Sequence, residues 1–390
     1  MGLLDRRHKL IALTFGLVFV FGLIINLRGQ VGPLIQEDYQ LSYGQFGFAL
    51  SFLSLGGVLF NLLGGLLIER FGLKKILLSG LLTVIAGTSI LNYINTYLLL
   101  ILVMILLGIG ITLINLTATS LISVLSQQSK GKMMNYFHFF FGLGGVLAPI
   151  YADFIMNLNF TWERTYFFTG IISLVLLVIS LKSSFPIKKK PAKKSLEMAS
   201  TLIKDSRVIL FFIIFLFYCG AELGAGSWLS LYLNDVQNRS QEEIRFYLSL
   251  FFICFTFGRL LAGKLVEKLG YVLWIILSTG SAILLILAAI VGPESWAILF
   301  SISGLAFAGI FPTLQAIMFE EFEKEVIPTV LGITLTAASI GFMVFGDWGI
   351  GYFNNLVGIE IGYGIIVIYL LFFLLTFLFY LKSSSTIKSN

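Results

Sequence analysis

Charge is the scarcest resource in this sequence. Asp, Glu, Lys and Arg make up 12% of its 390 residues, against 58% hydrophobic residues and a mean hydropathy of +0.96. A water-soluble chain of this length needs a charged surface, and this one cannot supply it. Cysteine occurs twice, at Cys219 and Cys254, and both fall in apolar stretches. That excludes a disulfide framework, and no His/Cys/Asp pattern has metal-ligand spacing. No Walker-type glycine loop is present, so ATP does not drive the protein directly. Nothing suggests an enzyme, and no cofactor is expected. A net charge of +6 would point to nucleic acid in a soluble protein. Here it reads as loop bias, with a lipid bilayer as the partner and no nucleic acid.

What the sequence has in abundance is apolar blocks of about 20 residues, the length that crosses about 30 Å of hydrocarbon. Twelve spans are predicted, at 9–31, 45–68, 75–94, 98–125, 133–156, 164–184, 208–233, 242–263, 271–291, 295–318, 328–352 and 361–381. The basic N-terminus lacks a small-residue cleavage site and leads into a retained span. Lysine and arginine concentrate in alternate loops (Arg6, Arg7, Lys9; Arg70, Lys74, Lys75; Lys130, Lys132; 188–194; Lys264, Lys268), which places both termini in the cytoplasm of a plasma (inner) membrane protein. The Lys-rich segment 185–207 reads as a cytoplasmic linker between six-span halves at 1–184 and 208–390.

The halves resemble each other. Gly65, Glu69, Arg70 and Gly72 after span two correspond to Gly263, Glu267, Lys268 and Gly270 after span eight, always 198 residues on. Gly110 and Gly309 correspond at 199. Two similar six-span halves imply a transporter built from parallel repeats, with its site near the midplane between them. The stretch G-x-x-x-E-R-x-G-x-K-K, carrying Gly65, Glu69, Arg70, Gly72, Lys74 and Lys75, resembles the loop signature of the major facilitator superfamily. The family usually has Asp where Glu69 stands. The resemblance implies an all-α fold of twelve transmembrane helices in two pseudo-symmetric six-helix bundles. It also implies that this loop gates the cytoplasmic side. A monomer suffices for such a fold.

Polar residues inside spans are costly, about 2.5–3.5 kcal/mol for a charge at a helix centre on insertion scales, so each needs a partner, a cavity or neutralisation. Span seven carries Glu222 amid Gly220, Ala221, Gly224, Ala225, Gly226 and Ser227. Tyr218 and Glu222 are four apart and share a face. The small residues suggest a bendable helix at a ligand site. Asn26 and Gln30 share a face of span one, and their amides suit sugar hydroxyls. Arg28 is expected near the outer end, snorkelling. Asn115 and Gln315 add amides in spans four and ten. His138 is expected to line a cavity, whereas Phe139, Phe140 and Phe141 read as lipid or packing contacts. Trp228 and Trp348 are candidates to stack on a sugar face or, equally, to anchor at the membrane interface. Asp347 is the second acid inside a span.

The stretches HFFFGLGGVLAP and GAELGAGSW are similar to spans five and seven of the fucose:proton symporter-like branch of the superfamily. By that resemblance His138, Glu222 and Trp228 line the central cavity. The fucose permeases have acids in spans one and four, where this chain has Asn26 and Asn115. The expectation is a secondary active transporter of a monosaccharide or related polyol, working by proton symport and alternating access. Glu222 would carry the proton, assisted by Asp347 or His138, with sodium the other candidate ion. An exporter of drugs, lipids or other amphiphiles is the alternative.

Overall fold

A computed structural model describes residues 3–61, 63–125, 130–186, 201–323 and 326–383, and these are helices joined by short turns. Among the described residues, twelve helices are long and apolar enough to cross a membrane. They are α1 (Arg7–Asp38), α2 (Tyr43–Phe60), α3 (Leu73–Tyr93), α4 (Tyr97–Ile122), α5 (Tyr136–Asn157) and α6 (Trp162–Lys182). The second half follows with α7 (Ser206–Ser227), α8 (Gln241–Leu269), α9 (Tyr271–Val291), α10 (Glu294–Glu321), α11 (Thr329–Val357) and α12 (Ile359–Ser383). The protein is therefore a multi-pass integral membrane protein.

The two largest departures from the expected boundaries are both in the first half. Helix α1 continues to Asp38 through Pro33. The carbonyl that Pro33 leaves without a donor belongs to Gly29, where no side chain adds crowding. Helix α2 ends at Phe60, and the loop signature begins on its own short helix, Gly64–Phe71, and ends in the first turn of α3.

Contacts divide the chain into two units, Met1–Gln40 with Phe52–Pro191, and Leu41–Ser51 with Ala192–Asn390. The first turns of α2 thus group with the second unit. The reason is packing. The Phe46 ring meets Trp228 edge-on at 5.5 Å, and a Cβ at Gly351 would lie 2.5 Å from the Tyr43 carbonyl. The Lys-rich segment 187–200 lies outside the described residues.

The internal repeat is written in the backbone. Six described residues have positive φ, and they form three pairs: Gln40 (49°) with Asn238 (49°), Gly72 (81°) with Gly270 (79°), and Asn159 (61°) with Gly358 (82°). Each pair is 198 or 199 residues apart. The helix starts repeat too. Ser42 and Gln45 exchange side-chain bonds with each other's backbone N–H at the start of α2, and Ser240 and Glu243 do so at α8. Each exchange satisfies two of the donors that a helix N-terminus leaves open.

Helix crossings recur in the same way. In the first unit α1 crosses α5 at Gly22 and Gly144, where a Cβ would strike the carbonyls of Phe141 and Phe19. In the second, α7 crosses α11 at Gly220 and Gly341, facing Phe345 and the Leu216 carbonyl. Small residues let the backbones approach where lipid offers no hydrophobic drive for association.

Candidate functional site

In the second unit, α7 runs unbroken from Ser206 to Ser227 and changes direction only at Trp228. No break falls at Glu222 in this structure. The small residues are seats for neighbouring helices instead. A Cβ at Gly220 would lie 2.5 Å from Phe345 Cβ, and one at Gly226 would lie 3.3 Å from the Phe251 ring.

Glu222 is half-buried, and its Oε2 is enclosed without a hydrogen-bond partner. Tyr218, one turn back, is fully buried and donates its hydroxyl to the Phe307 carbonyl of α10 at 2.9 Å. From α8, Arg259 interacts electrostatically with both Glu222 and Tyr218. Its Nε is enclosed and unpartnered, and its Cζ lies 4.3 Å from the centre of the Phe255 ring. Ser249 and Thr256 lie ten and three residues before Arg259, on the same face of α8. Both hydroxyls are buried and unpartnered. So is Trp274 Nε1 on α9, packed over Gly309. The second unit therefore encloses an acid, a guanidinium, two hydroxyls and an indole N–H whose hydrogen-bonding capacity is unused among the described residues. Arg259 was not among the expected site residues. Its signal was a cation inside the predicted span 242–263, four residues from its end.

Trp228 is fully buried, donates its indole N–H to the Gly346 carbonyl at 2.9 Å and packs on Tyr43 and Phe46. In this structure it presents no surface to a ligand. Trp348 is 44% exposed and meets Phe48 and Tyr352. Asp347 is fully buried in the π-helical stretch Gly341–Gly349. Gln315 is half-buried on α10.

In the first unit, Asn26 is half-buried and bonds its own helix at Gly22 O, 2.7 Å away. Gln30 is fully buried, and neither its Oε1 nor its Nε2 has a partner. Arg28 does not snorkel. It is 2% exposed and acts electrostatically on Tyr166 of α6, because the longer α1 sets it well inside the helix. Asn115 is half-buried on α4. His138 is half-buried on α5, edge-on to Phe137 at 5.6 Å. Phe140 and Phe141 pack on Phe15 and Phe21. A cleft of about 410 Å³, with Asp38, Tyr39, Asn95, Tyr97 and Glu163 in its wall, lies at the ends of α1 and α6.

In the loop signature, Gly72 caps the short helix and Lys74 donates to the carbonyls of Leu181 and Ser183 at the end of α6, at 2.7 and 2.9 Å. Arg70 lies over Phe71, and Lys75 is exposed. The surroundings of Gly65 and the side chain of Glu69 lie outside what the structure describes.

The profile of the Major Facilitator Superfamily matches residues 13–346 and 227–389. The chain belongs to the major facilitator superfamily. It is a transporter, not an enzyme. Among major facilitator sequences it is 24% identical over 311 residues to a "Protein TsgA homolog" of Buchnera aphidicola subsp. Schizaphis graminum, covering 77% of this chain and 78% of that one. A solved D-xylose-proton symporter superposes with a TM-score of 0.81 at 17% identity, covering 99% of each chain. The E. coli fucose:proton symporter does so with a TM-score of 0.67 at 16% identity, covering 95% and 98%. These last two likenesses concern the fold.

Proposed function

We propose that this protein is a secondary active transporter that moves a small polar solute, sugar-like in size and hydroxylation, in symport with protons. It would act as a monomer by alternating access, in the plasma (inner) membrane with both termini cytoplasmic. The observation that carries this reading is Glu222, an acid inside a span whose Oε2 is enclosed and unpartnered. An ionised carboxylate there pays a desolvation cost that nothing repays in full. Taking up a proton removes the cost, so the group is suited to load and release one during a cycle. The unused hydroxyls of Ser249 and Thr256 favour a hydroxylated cargo. The two proton symporters among the structural neighbours agree with this direction.

Proteoliposomes with an imposed pH gradient test the reading. Glu222→Gln should abolish gradient-driven accumulation and spare exchange of solute down its own gradient. Accumulation that survives Glu222→Gln removes Glu222 as the proton carrier. His138→Ala should weaken solute affinity, and an unchanged affinity would remove its ligand role.

A further inference from the structure

We infer that Arg259 is the recognition group for a carboxylate on the solute, so that the cargo is a small hydroxylated organic acid which enters together with the proton taken by Glu222. This rests on the symport reading and narrows its substrate class.

A guanidinium is always charged and presents a planar fork that matches a carboxylate bidentately. Arg259 has that fork to spare. No hydrogen bond or close ion pair joins it to the described residues, and its Nε is enclosed. The Phe255 ring lies against its Cζ at 4.3 Å, a cation–π contact that uses none of its N–H donors. The enclosed Nε lacks a hydrogen-bond partner that a ligand carboxylate can supply. Ser249 and Thr256, on the same face of α8, extend the polar strip with two hydroxyls suited to a polyhydroxy acid.

Charge balance then links the two ligands. While Glu222 is ionised it offsets Arg259, and an anion gains little by entering. Once Glu222 binds a proton, Arg259 is uncompensated and attracts an anion. One proton plus one carboxylate leave the net charge of the cluster unchanged, and departure of the carboxylate favours release of the proton. The other titratable groups nearby are Tyr218 and Cys219 on α7, both fully buried. Tyr363 of α12 bonds the Ala225 carbonyl, and Tyr369 of α12 packs on Phe217 and Phe345, on other faces of α7. Asp347 of α11 lies buried beside Gly346, the residue that receives the Trp228 N–H.

The test compares D-glucuronate with D-glucose, which differ by a carboxylate, and adds D-gluconate and L-lactate. Binding to the purified full chain is read by thermal shift and tryptophan fluorescence at a mildly acidic and a mildly alkaline pH. At least one carboxylate should bind, more tightly at the acidic pH, while glucose binds far more weakly. Arg259→Gln should weaken carboxylate binding roughly 30-fold or more, as loss of one member of a buried charge pair does. Arg259→Lys should retain part of it. Glu222→Gln should bind the acid equally at both pH values. If Arg259→Gln does not fold, the double variant Glu222→Gln/Arg259→Gln, which removes both charges, carries the comparison.

Glucose binding as well as its acid, carboxylate binding indifferent to Arg259, or no binding of any of the three acids would each overturn the inference. Proteoliposomes loaded with a pH-sensitive dye separate this from the symport reading. Proton uptake driven by glucose alone sinks the acid and keeps symport. Arg259-dependent carboxylate binding without proton movement keeps the acid and sinks symport.

Discussion

Gly72 and Gly270 hold one backbone conformation, φ 81° and ψ 152° at the first, φ 79° and ψ 157° at the second. Each ends one helix and begins the next. This corner of conformational space is essentially closed to residues with a Cβ, at about 1–3 kcal/mol each. Nothing stands within 4 Å of a Cβ at either position, so the cost would be purely conformational. Gly72→Ala and Gly270→Ala should each lower the melting temperature of the purified protein. Gly263→Ala, in open space within α8, should raise it, by up to about 1 kcal/mol in stability. A Gly270→Ala protein as stable as the parent would reject this account.

The crossing glycines should behave differently, because backbone rather than space lies opposite them. Gly22→Ala drives a Cβ into the Phe141 carbonyl, and Gly341→Ala drives one into the Leu216 carbonyl. Neither carbonyl can rotate away, and overpacking of this kind costs about 1–3 kcal/mol. Gly280→Ala on α9 meets nothing and serves as the control. Equal melting of all three variants would mean the helices can separate freely.

Trp228→Phe removes the N–H that serves the buried Gly346 carbonyl. The expected loss is about 1–3 kcal/mol of stability with solute affinity unchanged. Weakened affinity at unchanged melting temperature would return Trp228 to the binding site.

The Arg207 guanidinium, 2.8 Å from Asp205, holds that carboxyl below its usual range. A lowered folded-state value means the stabilisation is fully present above the unfolded value, about 3.9, and is lost as pH falls through the folded one. Asp205→Asn should therefore flatten the acid limb of a stability–pH profile and leave neutral pH less affected. High salt should shrink the difference, since the pair is partly exposed. An acid limb identical in Asp205→Asn would discount the pair.

Tyr39 responds at the opposite extreme. Burial, helped by Glu163 and Asp38, pushes its phenol up to about 12 from the usual value of 10. Its stabilising effect is complete below the unfolded value and is lost as pH rises towards the folded one. In a spectrophotometric titration Tyr39→Phe should remove a late-titrating phenol. Loss of an early one instead would contradict the burial.

The sequence by itself determined the twelve spans, because apolar length against bilayer thickness is a local property that each segment carries alone. It also determined the repeat. The glycines at 72 and 270 are required by backbone geometry and show as identities, whereas the Gln40–Asn238 and Asn159–Gly358 turns use different residues for the same shape and became visible only as dihedral angles. Glu222 stood out on cost alone, as a charge inside an apolar run. What surrounds it was decided by tertiary structure. The glycines beside it signal close approach of some kind, and only the positions of Phe345 and Phe251 assign that approach to neighbouring helices instead of a bend. Arg259 lies 37 residues further on, and no periodicity within one helix relates it to Glu222. Trp228 shows the converse. A tryptophan can stack on a ligand or fill a core, and its composition is the same in both. In this structure the Gly346 carbonyl accepts its indole N–H and the ring is buried; contact across helices depends on which faces meet, and a linear pattern does not encode that.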